Sequence, residues 1–275
     1  MFDYGLNLTM QAVRRQLAAM PHDLYLVRLI HSQTRRSFPG ERLWTAAQLA
    51  HPATVRFLRV RNREGCDVYI HPYAEKCNPG YILVDLDHTG PDVVETMRAA
   101  GHQPCVVLQT SPGNLQAWVR VSAAPIESAV ASQIGKQLAH LYGGDQASTD
   151  WRHLGRLAGF TNQKPQRRNR RGDSPWVKVL HAHPGLASQG AALREAAVHR
   201  VGSPANLAQS PHLALPAAPP PVPLALPPPL PPPKSMPVGC ADCGLWNASP
   251  RPTGASPING SPRNCSSGGH PLHKS

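Results

Sequence analysis

Residues 219–234 read PPPVPLALPPPLPPPK. Neither a helix nor an internal strand can form there, because proline fixes φ and supplies no backbone N–H. Polyproline II is the conformation expected. Beyond it Gly, Ser, Pro and Asn dominate and apolar periodicity is lost, so the expectation is a disordered end. Of the 31 prolines in 275 residues a large share follow residue 200. The chain therefore divides into one folded domain over residues 1–200 and a Pro-rich, disordered linker and tail over residues 201–275. A stretch of about 200 residues suffices for a single well-packed core.

Within that domain Leu8, Ala12, Leu17 and Met20 recur at near-helical spacing with Arg14 and Arg15 opposite. This predicts an amphipathic helix over 6–20, ended by Pro21. Strand patterns occupy 24–30, 66–72 and 80–87, and residues 34–44 read as a loop around Pro39-Gly40. A helix starts near Thr45, breaks at Pro52 and resumes, and a further one spans 90–101 between Gly90-Pro91 and Gly101. A hairpin turns at Ser111-Pro112-Gly113, the longest helix covers 126–144, and a last strand covers 176–182. This order predicts an α+β domain with a mixed or antiparallel sheet and packed helices, of the ferredoxin-like or RNA-recognition (RRM-like) kind.

The formal net charge is +12, which suits a partner that carries phosphates. Six cysteines do not make a disulfide framework. Cys240 and Cys243, with Cys265, His270 and His273, invite a zinc reading, but their spacing is irregular and little around them can pack, so the bland reading is preferred. There is no signal-peptide pattern at the N-terminus and no apolar run of membrane-spanning length, so the expectation is a cytoplasmic protein with no membrane partner.

Three stretches carry side chains suited to chemistry. Asp85-Leu86-Asp87 ends the apolar run Tyr81–Val84, and residues i and i+2 of a strand share a face. Two carboxylates so placed repel unless cations neutralise them, and Mg²⁺ or Mn²⁺ prefers such oxygen ligands; a turn or helix cap is the structural alternative. Gln109 to Trp118 supplies hydroxyls, a glycine turn and amides that suit phosphate or sugar, or else an ordinary hairpin. From Ser148 to Lys164, Asp150 would complete a three-carboxylate metal site, with Arg152, His153, Arg156 and Lys164 available to a triphosphate. Asp150 capping a helix, with Arg152 and Arg156 on its solvated face, is the alternative. Arg167, Arg168, Arg170 and Arg171 form a basic run just downstream.

Taken together DVYIHP (67–72), ILVDLD (82–87), TSPGNLQAW (110–118) and the run Asp150–Lys164 resemble the RepB-type primases of mobilisable plasmids, a branch of the archaeo-eukaryotic primase superfamily. The resemblance runs from about Leu8 to Leu180. It implies a primase-type, RNA-recognition-like core that makes short primers on a single-stranded DNA template from nucleoside triphosphates, with Mg²⁺ or Mn²⁺ as cofactor. Asp85 and Asp150 then become metal-binding catalytic carboxylates. The family carries two adjacent aspartates where this chain has Asp85 and Leu86, which moves the second carboxylate to Asp87. The superfamily's second motif carries a histidine that TSPGNLQAW lacks, which leaves Ser111, Asn114 and Gln116 as nucleotide contacts by position. Arg152, His153, Arg156, Asn162 and Lys164 complete the nucleotide set, and Arg167, Arg168, Arg170 and Arg171 bind template.

Longer members continue into a helical bundle that helps initiation, and this chain shows no helical periodicity after about residue 200. Initiation through another protein, a different mode of template recognition, or a truncated or frame-shifted relic all accommodate that. Other plasmid replication or mobilisation proteins are the expected protein partners. A non-catalytic single-stranded-DNA-binding accessory and a metal-dependent nuclease are the rival functions.

Overall fold

A computed structural model describes residues 3–38, 42–87, 90 and 92–202. The proline tract and the Cys240/Cys243 stretch with its zinc reading lie outside the described residues. In chain order the elements are α1 (Tyr4–Ala19), β1 (Tyr25–His31), β2 (Arg42–Trp44), α2 (Ala46–Leu49), α3 (Pro52–Arg63), β3 (Cys66–Pro72), β4 (Cys77–Asn78) and β5 (Tyr81–Asp87). They continue as α4 (Asp92–Ala99), β6 (Val106–Ser111), β7 (Asn114–Arg120), β8 (Ile126–Glu127), α5 (Ser128–Tyr142), β9 (Gly155–Arg156), β10 (Lys178–Ala182) and α6 (Gly190–Val201).

The expected α+β class holds, but the strands form two four-stranded sheets, ordered β2-β1-β3-β9 and β10-β6-β7-β5, with a small β4-β8 pair beside them. Every pairing among these strands is antiparallel. Alternation along a strand fixes which residues share a face, whereas the partner strand is chosen by packing.

Each sheet buries one face against helices. Tyr25, Val27 and Leu29 of β1 join Val68 and Ile70 of β3 in packing on Leu6, Met10, Val13 and Leu17 of α1 and on Val55 and Leu58 of α3. Asp3 caps α1 by accepting from Leu6 N–H at 2.9 Å. The buried stripe of α1 runs through Leu6, Met10, Val13 and Leu17, whereas Leu8, expected inside, is 47% exposed. The expected helix is present and Leu17 and Met20 are inside as expected, but Leu6, Met10 and Val13 rather than Leu8 complete its buried face.

Ile82, Val84 and Leu86 of β5, with Ala117 and Val119 of β7, pack on Val130, Ile134 and Leu138 of α5 and on Leu193 and Ala197 of α6. Each fully buried Val, Leu or Ile side chain of this kind contributes about 1.5–3 kcal/mol. The other face of β5–β7 carries Tyr81, Leu83 and Trp118 into a third cluster with Met20, Ala158 and Val177. Gly155 lets β9 lie on Trp118, because a Cβ there would come within 2.5 Å of the indole ring.

Candidate active site

The alternation that buries Tyr81 and Leu83 brings Asp85 and Asp87 out on the same face, while Leu86 between them faces the helical side. Across the ladder Asp85 lies opposite Gln116 and Asp87 opposite Asn114. Burial and, next, the Asp87 carboxylate push the Asp85 carboxyl above its ordinary range, against a hydrogen bond from Gln116. Gln116 also accepts the Arg156 N–H at 2.8 Å, so one side chain links β7 to β9 and to Asp85.

The chain after α5 is fastened to the same strand end. Asp145 N–H donates to the Asp85 carbonyl at 2.9 Å. The Asp145 carboxylate accepts from Ala147 N–H and the Ser148 hydroxyl, and these two bonds hold it below its ordinary range. Gly135 of α5 admits the Thr149 backbone, since a Cβ there would stand 3.0 Å from the Thr149 carbonyl oxygen. Asn78 completes the fastening: its amide donates to the Tyr81 and Trp151 carbonyls at 2.9 and 2.6 Å, and its oxygen accepts Gly80 N–H at 2.8 Å. Asp150 is thereby held at the same cleft as Asp85. Asp150 does not cap a helix, since residues 151–154 form a turn and irregular chain. Its carboxylate accepts Arg152 N–H at 3.1 Å and lies 2.7 Å from His153 Nδ1, and the histidine contact is the main reason its carboxyl sits below the ordinary range.

Asp85, Asp87, Gln116, Asp150, Arg152, His153, Arg156 and Lys164 line one cleft of about 480 Å³. The opposite wall comes from the first sheet, through Leu26, Arg28 and Ile30 of β1, Tyr69 of β3 and Arg35 in the turn after β1. Arg35 adopts φ of 59°, the left-handed region that is strained for a non-glycine residue. Arg28, Arg35, Tyr69, Asp145 and Ser148 are site residues that the sequence reading missed. A visible signal was Arg28 itself, a cation at an alternating position within the apolar run YLVRLI.

Several sequence-predicted contacts do other work. Arg156 is 3% exposed and its guanidinium forks onto Asp67 at 2.7 and 3.1 Å, with Tyr69 Oη at 3.4 Å. It is no solvated helix-face cation, and two of its donors are already engaged at the back of the cleft. Asn162 is buried and donates to the Thr110 carbonyl at 3.1 Å while accepting Lys164 N–H at 3.2 Å. That fixes the Lys164 loop to β6 and turns the Asn162 side chain away from the cleft lining. Asn114 donates to Ser111 Oγ at 2.7 Å and the Pro112 carbonyl at 3.0 Å, which closes the hairpin. Ser111 opens onto a separate groove. Arg167 reaches Asp87 at 3.2 Å, whereas Arg168, Arg170 and Arg171 are exposed.

Lys164 faces this acidic wall half-buried, and burial lowers its pKa from the ordinary lysine value against the pull of Asp85, Asp67 and Asp87. The carboxylates offer oxygen donors only, with two on one strand face repelling each other, which is the chemistry a hard divalent cation satisfies. Among the described residues no group of three or more His, Cys, Asp or Glu is gathered as a metal cage, and Asp87 and Asp150 are met by Arg167 and His153.

Beneath the Asp150 loop, His71 is buried with its ring edge-on to Trp118, centroids 5.5 Å apart. Burial pulls its pKa down to about 4. In the unfolded chain it titrates near 6.5, so between these values the unfolded state binds a proton that the native state refuses. Stability is therefore full above about pH 6.5 and falls as pH drops toward 4, by about 3 kcal/mol from this group alone. His102 and His181, also lowered by burial, add to the same window. Urea denaturation at pH 7.5 and pH 4.5 is expected to show this loss, and His71→Gln to flatten part of it; an unchanged profile in the variant would contradict the burial account.

Residues 46–192 match the family described as the RepB DNA-primase N-terminal domain. Over 193 residues the chain is 38% identical to mobilization protein A of Escherichia coli, which takes in 70% of this chain and 26% of that protein. It is 31% identical over 122 residues to a DNA primase of Acidithiobacillus ferrooxidans, covering 44% of this chain and 33% of that one. The chain thus spans about a quarter to a third of the length of these curated relatives. Among solved structures it is similar to the catalytic domain of primase RepB′ in complex with initiator DNA, with a TM-score of 0.63 and 35% identity over 74% of this chain and 99% of that one.

Proposed function

This chain belongs to the RepB DNA-primase N-terminal domain family, and from that premise we propose that it carries the catalytic domain of a plasmid or mobile-element DNA primase. On this reading it makes short primers on single-stranded DNA by metal-dependent nucleotidyl transfer. The observation that carries the reading is one cleft with Asp85, Asp87 and Asp150 on one side and Lys164, Arg28, Arg35 and Arg152 around them. An acidic wall facing cations is what a triphosphate and its counter-ions need.

Asp85, Asp87 and Asp150 would hold Mg²⁺ or Mn²⁺, which supplies a lowered pKa for the primer 3′-hydroxyl and charge neutralisation at the leaving pyrophosphate. His153 orients Asp150 through the Nδ1 contact. Lys164, kept in place by Asn162, and Arg152, spread over Trp151 at 4.3 Å, meet the phosphate oxygens. Gln116 keeps Asp85 and β9 in register. A DNA-bound relative and another named for mobilisation favour a DNA template and plasmid replication or mobilisation proteins as partners.

Labelled nucleotides, circular single-stranded DNA and Mg²⁺ or Mn²⁺ test this with wild type and Asp150→Ala side by side. Short new products that fall at least about 100-fold in the variant are expected. Shortened DNA would instead indicate a nuclease. Tight DNA binding without products, even with a helical initiation domain added in trans, would indicate a non-catalytic accessory.

A further inference from the structure

A second, larger groove of about 850 Å³ lies beside the cleft. Its floor is Gln109 and Ser111 of β6, one wall is the turn Arg167–Asn169, and the other is Asp173–Trp176 leading into Lys178 of β10. Arg167 belongs to both places, since it lines this groove and reaches Asp87 at the mouth of the cleft.

We infer that this groove holds the single-stranded DNA template, with Trp176 as a base-stacking platform, Arg168 and Lys178 of its lining as phosphate contacts, and Arg170 and Arg171 on the turn that joins its two walls as further cations for the strand. Trp176 is the largest side chain at the rim and stays 50% exposed. No ring or cation is stacked on it among the described residues. A large aromatic left open between cations meets the two demands of an unpaired strand, whose bases offer π-faces and whose backbone offers charge. Arg168, Arg170, Arg171 and Lys178 are exposed and make no ion pair or side-chain hydrogen bond among the described residues, in contrast to Arg156 and Arg167. The single acidic side chain in the lining, Asp173, is itself bonded to the Asn169 amide at 3.0 Å. Duplex DNA stacks its bases on one another and leaves no face for Trp176, so the geometry selects single strands.

The inference rests on the primase reading for the word template, and not for the binding itself. The test is fluorescence anisotropy of a labelled oligo-dT strand, and of a blunt duplex of equal length, at several salt concentrations. Trp176→Ala is expected to weaken single-strand binding by about 5- to 150-fold, the equivalent of about 1–3 kcal/mol of stacking, with the salt slope unchanged. Trp176→Phe is expected to retain most of the affinity. Arg168→Ala is expected to lower the salt slope by about 0.7. The exposed position of Trp176 leaves the fold intact, which an unchanged unfolding midpoint checks. Single-strand binding by Trp176→Ala within twofold of wild type, or an equal loss on duplex, would overturn the assignment. If wild type nevertheless makes primers, the primase reading stands without this groove. If binding depends on Trp176 but wild type makes no primers, the groove stands and the primase reading falls.

Discussion

Asp67→Ala is expected to lower the unfolding free energy by about 3–5 kcal/mol, because it strands the Arg156 guanidinium in the protein interior. Arg156 and Asp67 are 4% and 2% exposed at their side chains and meet at 2.7 Å. Asp67 also accepts the Gln163 N–H at 2.7 Å, so its loss frees the segment that carries Lys164. Urea denaturation of both proteins at pH 7.5 reads the effect directly. An Asp67→Leu/Arg156→Met double substitution removes both charges and is expected to recover much of the loss, since well-packed apolar side chains often replace a buried ion pair without penalty. A single-variant loss below about 1 kcal/mol would mean that water reaches the pair and that Arg156 is not the fixed rear wall of the cleft.

That pair also shows where reading from sequence stops. Asp67 sits in DVYIHP and Arg156 in the run after Asp150, 89 positions apart. Nothing local in either stretch names the other, and the arginine reads as a phosphate ligand until the fold supplies its partner. Asn162 and Asn114 follow the same logic, since polar side chains near a candidate site were read as binders whereas the fold uses them to close a loop and a hairpin. The Asp85/Asp87 pair was legible because a strand's two-residue period is geometric and needs no partner. The long helix at 128–142 was legible because Val130, Ile134 and Leu138 repeat every four residues and Gly143 ends it in the left-handed region at φ 66°. The helix at 190–201 escaped because only Gly190, Leu193 and Ala197 are buried, too few to write a periodic signal. The division into two sheets escaped for a different reason. It depends on Trp118 and its neighbours packing against Gly155 and His71, contacts between segments far apart in sequence.

Asp85→Asn carries the largest expected effect on function. Removing one carboxylate from a site that must neutralise a triphosphate costs several kcal/mol of transition-state stabilisation, or about a 1,000-fold loss of primer synthesis or more. The fold should not suffer. Burial and the neighbouring Asp87 raise the Asp85 pKa, so its ionised form opposes folding at neutral pH, and that opposition fades as pH falls through the raised value. The neutral amide avoids both costs, so the variant is expected to be at least as stable as wild type at pH 7.5. Loss of activity with gain of stability is the signature of a carboxylate kept for chemistry, and it separates Asp85 from Asp67, whose loss destabilises the fold.

The most direct test is extension of a short primer annealed to a DNA template in Mn²⁺, with wild type and Asp85→Asn run side by side and unfolding midpoints taken from the same preparations. The account predicts that wild type adds nucleotides and that Asp85→Asn does so at least about 1,000-fold more slowly, with an equal or higher midpoint. Extension by Asp85→Asn within tenfold of wild type, or a wild type that only shortens the DNA, would contradict it.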